Sequence, residues 1–497
     1  VSSNILKERL DSKQYEKLMR IDNLKLHEFI AKYLEHCNPE KVFVCSDSEE
    51  DIKYIREITV KNGEEIELSA ENHTIHFDNY NDQARDKQNT KILVSEGVEL
   101  DKAINTAPRK ESLDEIREIM KDIMKGKEVY IRFFCLGPTN SEFSQPVMQM
   151  TDSAYVAHSE DLLYRQGFEE FVRQGRNARF FKIVHSAGEL DERNTSKNLD
   201  KRRVYIDLEE NMVYSANTQY GGNTIGLKKL SMRLAIYRGV KEGWLTEHML
   251  VMGIHGPSNR VTYFTGAFPS LCGKTSTSMM DNETVVGDDI AYLRKKDGRV
   301  RAVNVEKGVF GIIMGVNSED DPIIWNVLHS PAEIIFSNIL MTPEGGVHWI
   351  GKDGETPDVG INHSGEWHKG KKDESDKEIT VSHRNARFTV ELENFDNLDP
   401  TLHDPKGVEV GGIVYGGRDS DTWVPIKEAF DWAHGIIAYG SSLESETTAA
   451  TLGQEGVRKF NPMSNLDFLS IPLRDYINAN LDFAKRLEKD FRSQLLP

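Results

Sequence analysis

The chain has 497 residues, 38% of them apolar and 29% charged, which is room for a large core divided over two or three domains. Its formal net charge of −18 argues against a general nucleic-acid or anionic-membrane binder, which needs a basic face, yet leaves room for small anions held by a local cluster of Lys and Arg. No apolar run reaches the roughly 18 residues needed to cross a bilayer, and no secretory leader is visible at the N-terminus, which begins with Val. The four cysteines, Cys37, Cys45, Cys135 and Cys272, form no paired framework, so a reducing, cytoplasmic setting is expected.

In chain order, residues 15–37 carry an apolar stripe that predicts one amphipathic helix. KVFVCSD (41–47) predicts a buried strand. In SLDEIREIMKDIMKG (112–126), Ser112 and Glu115 read as a capping box. Leu113, Ile116, Ile119, Met120, Ile123 and Met124 form the apolar face, and Gly126 the C-terminal cap. EVYIRFFCLG (128–137) is a strand by its β-branched and aromatic content. Two apolar runs flank HGPSN (255–259), which predicts a hairpin. VEKGVFGIIMG (305–315) and GVEVGGIVYGG (407–417) predict further buried strands. Residues 352–378 are polar and aperiodic and read as an exposed loop; 473–497 read as an amphipathic helix. No internal repeat is present. The mixture indicates an α/β or α+β protein with more than one lobe.

The second hairpin strand runs into FPSLCGKTSTSMM (268–280). A phosphate-binding loop reads G-x-x-x-x-G-K-[ST], and Phe268 stands where the first glycine belongs. In that reading the backbone N–H groups of 271–275 face an anion, Lys274 neutralises β- and γ-type phosphate oxygens, and Thr275 offers its hydroxyl to a divalent metal. A chance GKT in a loop is the competing reading, and the preceding strand weighs against it. TVVGDDIAYL (284–293) then ends an apolar strand in Asp288 and Asp289, a place to hold Mg²⁺ or Mn²⁺, although Gly-Asp-Asp also suits a solvated turn. Together the two segments describe a polyphosphate phosphoryl-transfer site.

FPSLCGKT followed by VGDDIAYL resembles the GTP-dependent phosphoenolpyruvate carboxykinase family, whose loop reads FPSACGKTN, so Leu271 and Ser276 are departures. QYGGNTIGLKK, EGWLTEHMLVMGI, RNARF, GGIVYGGR and MTDSAYV resemble family segments in the same order, over most of the chain. The resemblance implies a two-lobed α/β fold with the site in the cleft: an N-terminal, substrate-binding lobe over 1–215 and a P-loop lobe over 216–497. It implies conversion of oxaloacetate and GTP to phosphoenolpyruvate, CO₂ and GDP by a cytoplasmic monomer, with no nucleic-acid or membrane partner. His248 and Asp289 are implied ligands of a catalytic Mn²⁺, completed by a neutral lysine, Lys229 or Lys228 according to the direction of counting. A second Mg²⁺ or Mn²⁺ accompanies the nucleotide on Thr275. Arg85 is implied to hold the substrate carboxylate. Tyr220, Gly221, Gly222, Asn223, Ser270, Asn385 and Arg387 line the substrate. Leu271, Cys272, Gly273, Lys274, Thr275, Ser276, Asp288, Arg387 and Arg418 contact the nucleotide. Cys272, beside Lys274, is expected to be a thiol of lowered pKa. Residues 442–460 resemble the family's lid, with Ala449, Ala450, Gly453 and Gly456 suiting a loop that orders on closure, while Leu452 and Gly453 stand near where the family carries an acid–histidine pair. The phenylalanines that clamp guanine in the family are expected beyond Pro497. The phosphoryl donor is therefore left open between GTP and pyrophosphate, with a non-catalytic relative as the other reading.

Overall fold

The computed structural model describes residues 2–224, 227–269, 273–420, 426–446, 457–485 and 487, and for 227–229 the backbone alone. Among these residues the strands form sheets of nine, seven, five and four strands and one two-stranded ladder. The mixed α/β class expected from the sequence is what is found.

In the nine-stranded sheet, Glu128–Leu136 lies between Lys41–Val44, parallel, and Gln145–Thr151, antiparallel. Side chains alternate across a strand, so its residues serve two cores. Val129, Ile131 and Phe133 pack with Leu26, Ile30 and Leu34 of the helix Leu24–Cys37 and Ile116 and Met120 of the helix Arg109–Met120. Phe134 and Leu136 join the opposite core, which continues without a break into Trp244 and into Val251, Tyr292 and Val408 of the seven-stranded sheet. One apolar core is thus shared by the two sheets. The seven-stranded sheet contains the expected hairpin, Leu250–Gly256 against Arg260–Ala267, closed by Pro257–Asn259.

The five-stranded sheet runs Gly308–Ile312, Arg387–Glu391, Ile334–Ser337, His73–His76, Ile66–Glu67. His73–His76 pairs in parallel with Ile334–Ser337, so an early segment completes a late sheet across the expected division at 215/216. A buried ion network reinforces the same seam. Arg56 Nε donates to Glu333 (2.7 Å) and its Nη1 to Asp161 (2.6 Å), and the His158 ring bridges Glu65 and Glu333, each at 2.8 Å. Burial opposes the charge on His158, but Glu65 and Glu333 outweigh it and raise the imidazole above its ordinary 6.5.

Four local expectations are corrected. Residues 15–37 form two helices, Ser12–Met19 and Leu24–Cys37, because the Asn23 side chain accepts from Leu26 N (3.0 Å) and starts a new one. Ser112 and Glu115 are no capping box, and Gly126 lies beyond the helix end. The helix runs Arg109–Met120, Ser112 is buried within it, and Glu115 binds Arg203 (2.9 Å) and Tyr205. Inside 352–378, Val359–Asn362 and Gly365–His368 form a hairpin anchored by buried Trp367, whose Nε1 donates to Ile379 O (2.8 Å). Its Val359 and Ile361 face solvent, so no apolar alternation marked it. Val408–Tyr415 is half-exposed, with Val414 at 41%. Among the described residues no helix is long and apolar enough to cross a membrane.

At Gly308 the five-stranded sheet meets the helix Ala154–Leu163 at close range. A Cβ there would lie 2.1 Å from Leu162 O and 2.9 Å from Val390 O. Both obstacles are main chain and cannot rotate away. Gly308→Ala is expected to destabilise the protein by about 3 kcal/mol, read as a lowered midpoint in urea; an unchanged midpoint overturns the contact.

Candidate active site

The strand Arg260–Ala267 delivers the phosphate-loop sequence, and Phe268 is wedged at its start. A Cβ on Gly266 would fall 2.8 Å from the Phe268 ring and one on Gly416 2.4 Å from it. Two glycines therefore make room for a ring where the standard motif keeps a glycine. Ser270, Leu271 and Cys272 lie outside the described residues. Gly273 has φ +92°, and Lys274–Ser278 form one short helix. The buried Lys274 sends its Nζ to within 2.5 Å of Asp289 Oδ1.

Asp289 stands at the end of Thr284–Gly287, beside buried Asp288. His248 Nε2 is 3.0 Å from the same Asp289 Oδ1. On the far side of the ring, Nδ1 is 2.8 Å from Ser464 O. A carbonyl only accepts, so Nδ1 carries a proton and Nε2 is the nitrogen turned to the carboxylate. Nε2 and Oδ1 thus stand side by side, next to the Lys274 ammonium.

A divalent ion fits this donor chemistry. Imidazole nitrogen and carboxylate oxygen are apt ligands, and cis donors of an octahedral ion with bonds of about 2.1 Å stand about 3 Å apart. Among the described residues no three His, Cys, Asp or Glu converge on one point, here or elsewhere, so a divalent ion at this pair would draw its further ligands from other groups. The Lys228 and Lys229 side chains lie outside the described residues. Their backbone belongs to a π-helix, Leu227–Leu234, whose wider turn makes α-helical counting a poor guide to which lysine faces the site.

On the opposite wall, Asn385 Nδ2 donates to Tyr220 Oη (2.6 Å) and to Gln83 O (2.9 Å), and Arg387 Nη2 donates to Asn385 Oδ1 (2.9 Å). Arg387 Nη1 donates to Phe310 O (3.3 Å), and its Nε is buried with no partner among the described residues. The Arg85 guanidinium lies 5.2 Å from the centre of the Phe468 ring. Burial draws its pKa below the ordinary value and Arg387 adds to the effect, against Asp467, Tyr220 and Asp289. A guanidinium so placed is short of counter-charge and favours an anion. Gly222 separates Tyr220 from Arg85: a Cβ there would meet Tyr220 Cε1 at 2.5 Å and Arg85 Cγ at 2.9 Å.

Arg85, Tyr220, Gly221, Gly222, His248, Gly273, Lys274, Thr275, Ser276, Asp288, Asp289 and Arg387 therefore line one cavity of about 450 Å³. Asn385 stands behind it. Asn223 is turned to scaffolding: its Oδ1 accepts from Asp86 N (3.0 Å) and its Nδ2 donates to Ala84 O (3.2 Å), which fixes the loop carrying Arg85. Arg418 is exposed and does not line the cavity. Its carbonyl accepts from Glu446 N (2.9 Å), in the ladder of Glu444–Glu446 with Arg458–Phe460 at the base of the expected lid, whose residues 447–456 lie outside the described residues. Sequence reading missed Glu306, Phe310 and Phe468, which also line the cavity and carry no motif of their own.

A phosphate-type loop, an imidazole–carboxylate pair and two arginines in one cleft define a metal-assisted phosphoryl-transfer enzyme that handles an anionic substrate. Two family models agree in detail: the phosphoenolpyruvate carboxykinase N-terminal domain matches residues 28–240 and the phosphoenolpyruvate carboxykinase C-terminal P-loop domain matches 244–494. The chain belongs to the phosphoenolpyruvate carboxykinase family. It is 63% identical, over 97% of its length and 78% of the relative's, to a protein of Pyrococcus horikoshii named phosphoenolpyruvate carboxykinase (GTP). Proteins of the same name from Sulfurisphaera tokodaii (47% identical, 98% of this chain and 77% of theirs) and an Anaeromyxobacter species (33%, 94% and 78%) are similar too.

If His248 and Asp289 share a divalent ion, Asp289→Asn is expected to weaken Mn²⁺ binding at least about 10-fold, measured by electron paramagnetic resonance, with an unchanged far-UV circular dichroism spectrum. Parental affinity in that variant rejects the pair as ligands.

Proposed function

We propose that the protein is a GTP-dependent phosphoenolpyruvate carboxykinase, which decarboxylates oxaloacetate and transfers the γ-phosphoryl group of GTP to the resulting enolate. The observation that carries this reading is the placement of Lys274 and His248 on one oxygen of Asp289, in the same cavity as Arg85, Tyr220 and Arg387. Family membership supports it, and the choice of GTP rests on the name its relatives carry.

Arg85 receives the substrate carboxylate, since its guanidinium is held short of counter-charge. Tyr220 has its oxygen engaged as acceptor by Asn385, so its own proton is directed toward the ligand. Loss of CO₂ breaks the bond between C3 and the departing carboxylate and leaves the electron pair as an enolate. His248 and Asp289 would hold a divalent cation, Mn²⁺ in this proposal, which when bound would supply positive charge to the developing enolate. Lys274 and Arg387 hold the γ-phosphate in line for the enolate oxygen and take up charge as the bond to GDP breaks. Thr275 offers its hydroxyl to the nucleotide's own divalent ion. We place Arg418 on the nucleotide side, toward the phosphates, and Ser270, Leu271 and Cys272 against nucleotide and substrate. The substrate side belongs to residues 1–215 and the P-loop side to 216–497. A cytoplasmic monomer completes the proposal; the described cysteines Cys37, Cys45 and Cys135 are buried free thiols, in keeping with a reducing compartment.

A donor panel of GTP, ATP, ITP and pyrophosphate with oxaloacetate and Mn²⁺ is the direct test. Phosphoenolpyruvate from GTP is expected; activity with pyrophosphate and none with GTP rejects the donor, and none with any donor rejects the activity. Arg85→Ala is expected to raise the KM for oxaloacetate at least about 10-fold with the KM for GTP within twofold. Equal loss of both moves Arg85 out of the substrate site.

A further inference from the structure

The Asn385 side chain joins Tyr220, Gln83 and Arg387, but its own main chain is held by something the proposed mechanism does not use. Asn385 N donates to His383 Nδ1 at 3.0 Å. A backbone N–H cannot accept, so Nδ1 is bare and the ring proton is on Nε2. His383 is itself pinned: its N donates to Asn338 O (3.0 Å), its carbonyl accepts from Ala386 N (3.0 Å), and the Asn338 side chain pairs both ways with Asp78, at 2.9 and 2.8 Å. Against its face packs His363, edge-on at 5.5 Å between ring centres, from the turn of the hairpin Val359–His368. His363 is 4% exposed, its Nδ1 has no partner among the described residues, and Tyr80 stacks on its other side.

We propose that His383 is a positioning residue for the carboxykinase reaction: while its ring is neutral, Nδ1 holds the Asn385 main chain, and through it the Tyr220 hydroxyl and the Arg387 guanidinium. Protonation puts a second donor on Nδ1, facing the Asn385 N–H. The turn 383–386 then loses its brace, and the Asn385 amide leaves Tyr220. The inference rests on the carboxykinase reading of the cavity.

The charges around the pair favour the neutral rings. Burial lowers His383 first, with Arg384 acting in the same direction and Asp78 against it. Burial, then His383, Arg193 and Lys371, push His363 down to about 3. Both folded values lie below the unfolded 6.5, so the unfolded chain binds more protons in the interval. The neutral arrangement is complete above about pH 6.5 and is lost as pH falls through the folded value of His383.

Asparagine supplies the discriminating variant. Its side-chain oxygen accepts from the N–H two residues on, as His383 Nδ1 does, and it does not titrate. At pH 7.5, His383→Ala is expected to lower kcat for phosphoenolpyruvate formation at least about 10-fold, with the KM for GTP within twofold. His383→Asn is expected to stay within about threefold of the parent and to lose the acid-side inflection of kcat. The second readout needs no turnover: in the full-length enzyme, the Asn385 amide resonance should titrate together with the His383 ring below pH 6.5, and should stop doing so in His383→Asn. A static Asn385 amide, a folded His383→Ala with parental kcat, or a His383→Asn as impaired as His383→Ala each overturns the proposal. Absence of phosphoenolpyruvate from the parent sinks the carboxykinase reading instead, while the amide titration still decides whether His383 holds Asn385.

Discussion

One carboxylate oxygen organises the cleft. Asp289 Oδ1 stands 2.5 Å from an ammonium and 3.0 Å from an imidazole nitrogen, and those groups come from three different stretches of chain. Each is delivered by a rigid element: Lys274 by a short helix behind a clamped Phe268, Asp289 by the end of a strand, His248 by the residue after an edge strand and by the Ser464 carbonyl. Precision of this kind is needed where charge must be neutralised in place, because a group that has to reorganise during the reaction returns part of the stabilisation as reorganisation cost.

The facing wall is cationic and kept so by apolar packing. Arg85 and Arg233 both lie against the Phe468 ring, at 5.2 and 5.6 Å, and burial lowers Arg233 to about 10 with Arg85 as the next influence. An aromatic face steadies a guanidinium without cancelling its charge, as a carboxylate would. The protein as a whole is strongly acidic, yet the cavity combines Arg85, Lys274 and Arg387. Global charge and local field are separate quantities, and the substrate meets the second.

The parts of this site legible in the sequence were those whose chemistry is local. A phosphate loop needs consecutive backbone amides, and a strand ending in Asp288–Asp289 needs a few apolar letters. Arg85, Tyr220 and Arg387 were found by resemblance, and the fold brings them together from segments about 135 and 165 residues apart. Phe310 and Phe468 left no trace, because an aromatic ring in a strand or loop reads as ordinary core until its partners are known. Asn223 was placed at the substrate by resemblance as well, and no motif showed that its side-chain amide holds the Arg85 loop. In the fold, the error over 15–37 arose because one asparagine side chain decides between one helix and two, and periodicity is blind to it.

The parallel pairing of His73–His76 with Ile334–Ser337 bears on how the molecule is made. The early strand leaves the ribosome about 260 residues before its neighbour, which at roughly 5–20 residues per second is tens of seconds. Throughout that interval Ile75, fully buried in the finished protein, has the short strand Ile66–Glu67 beside it and the rest of its sheet still to come. The first lobe can collapse around its own helices, but the floor of the cleft closes late, after the chain has passed Glu391. Until that point the joint between the two halves of the sheet stays open, and its closure is a late event in the making of the molecule.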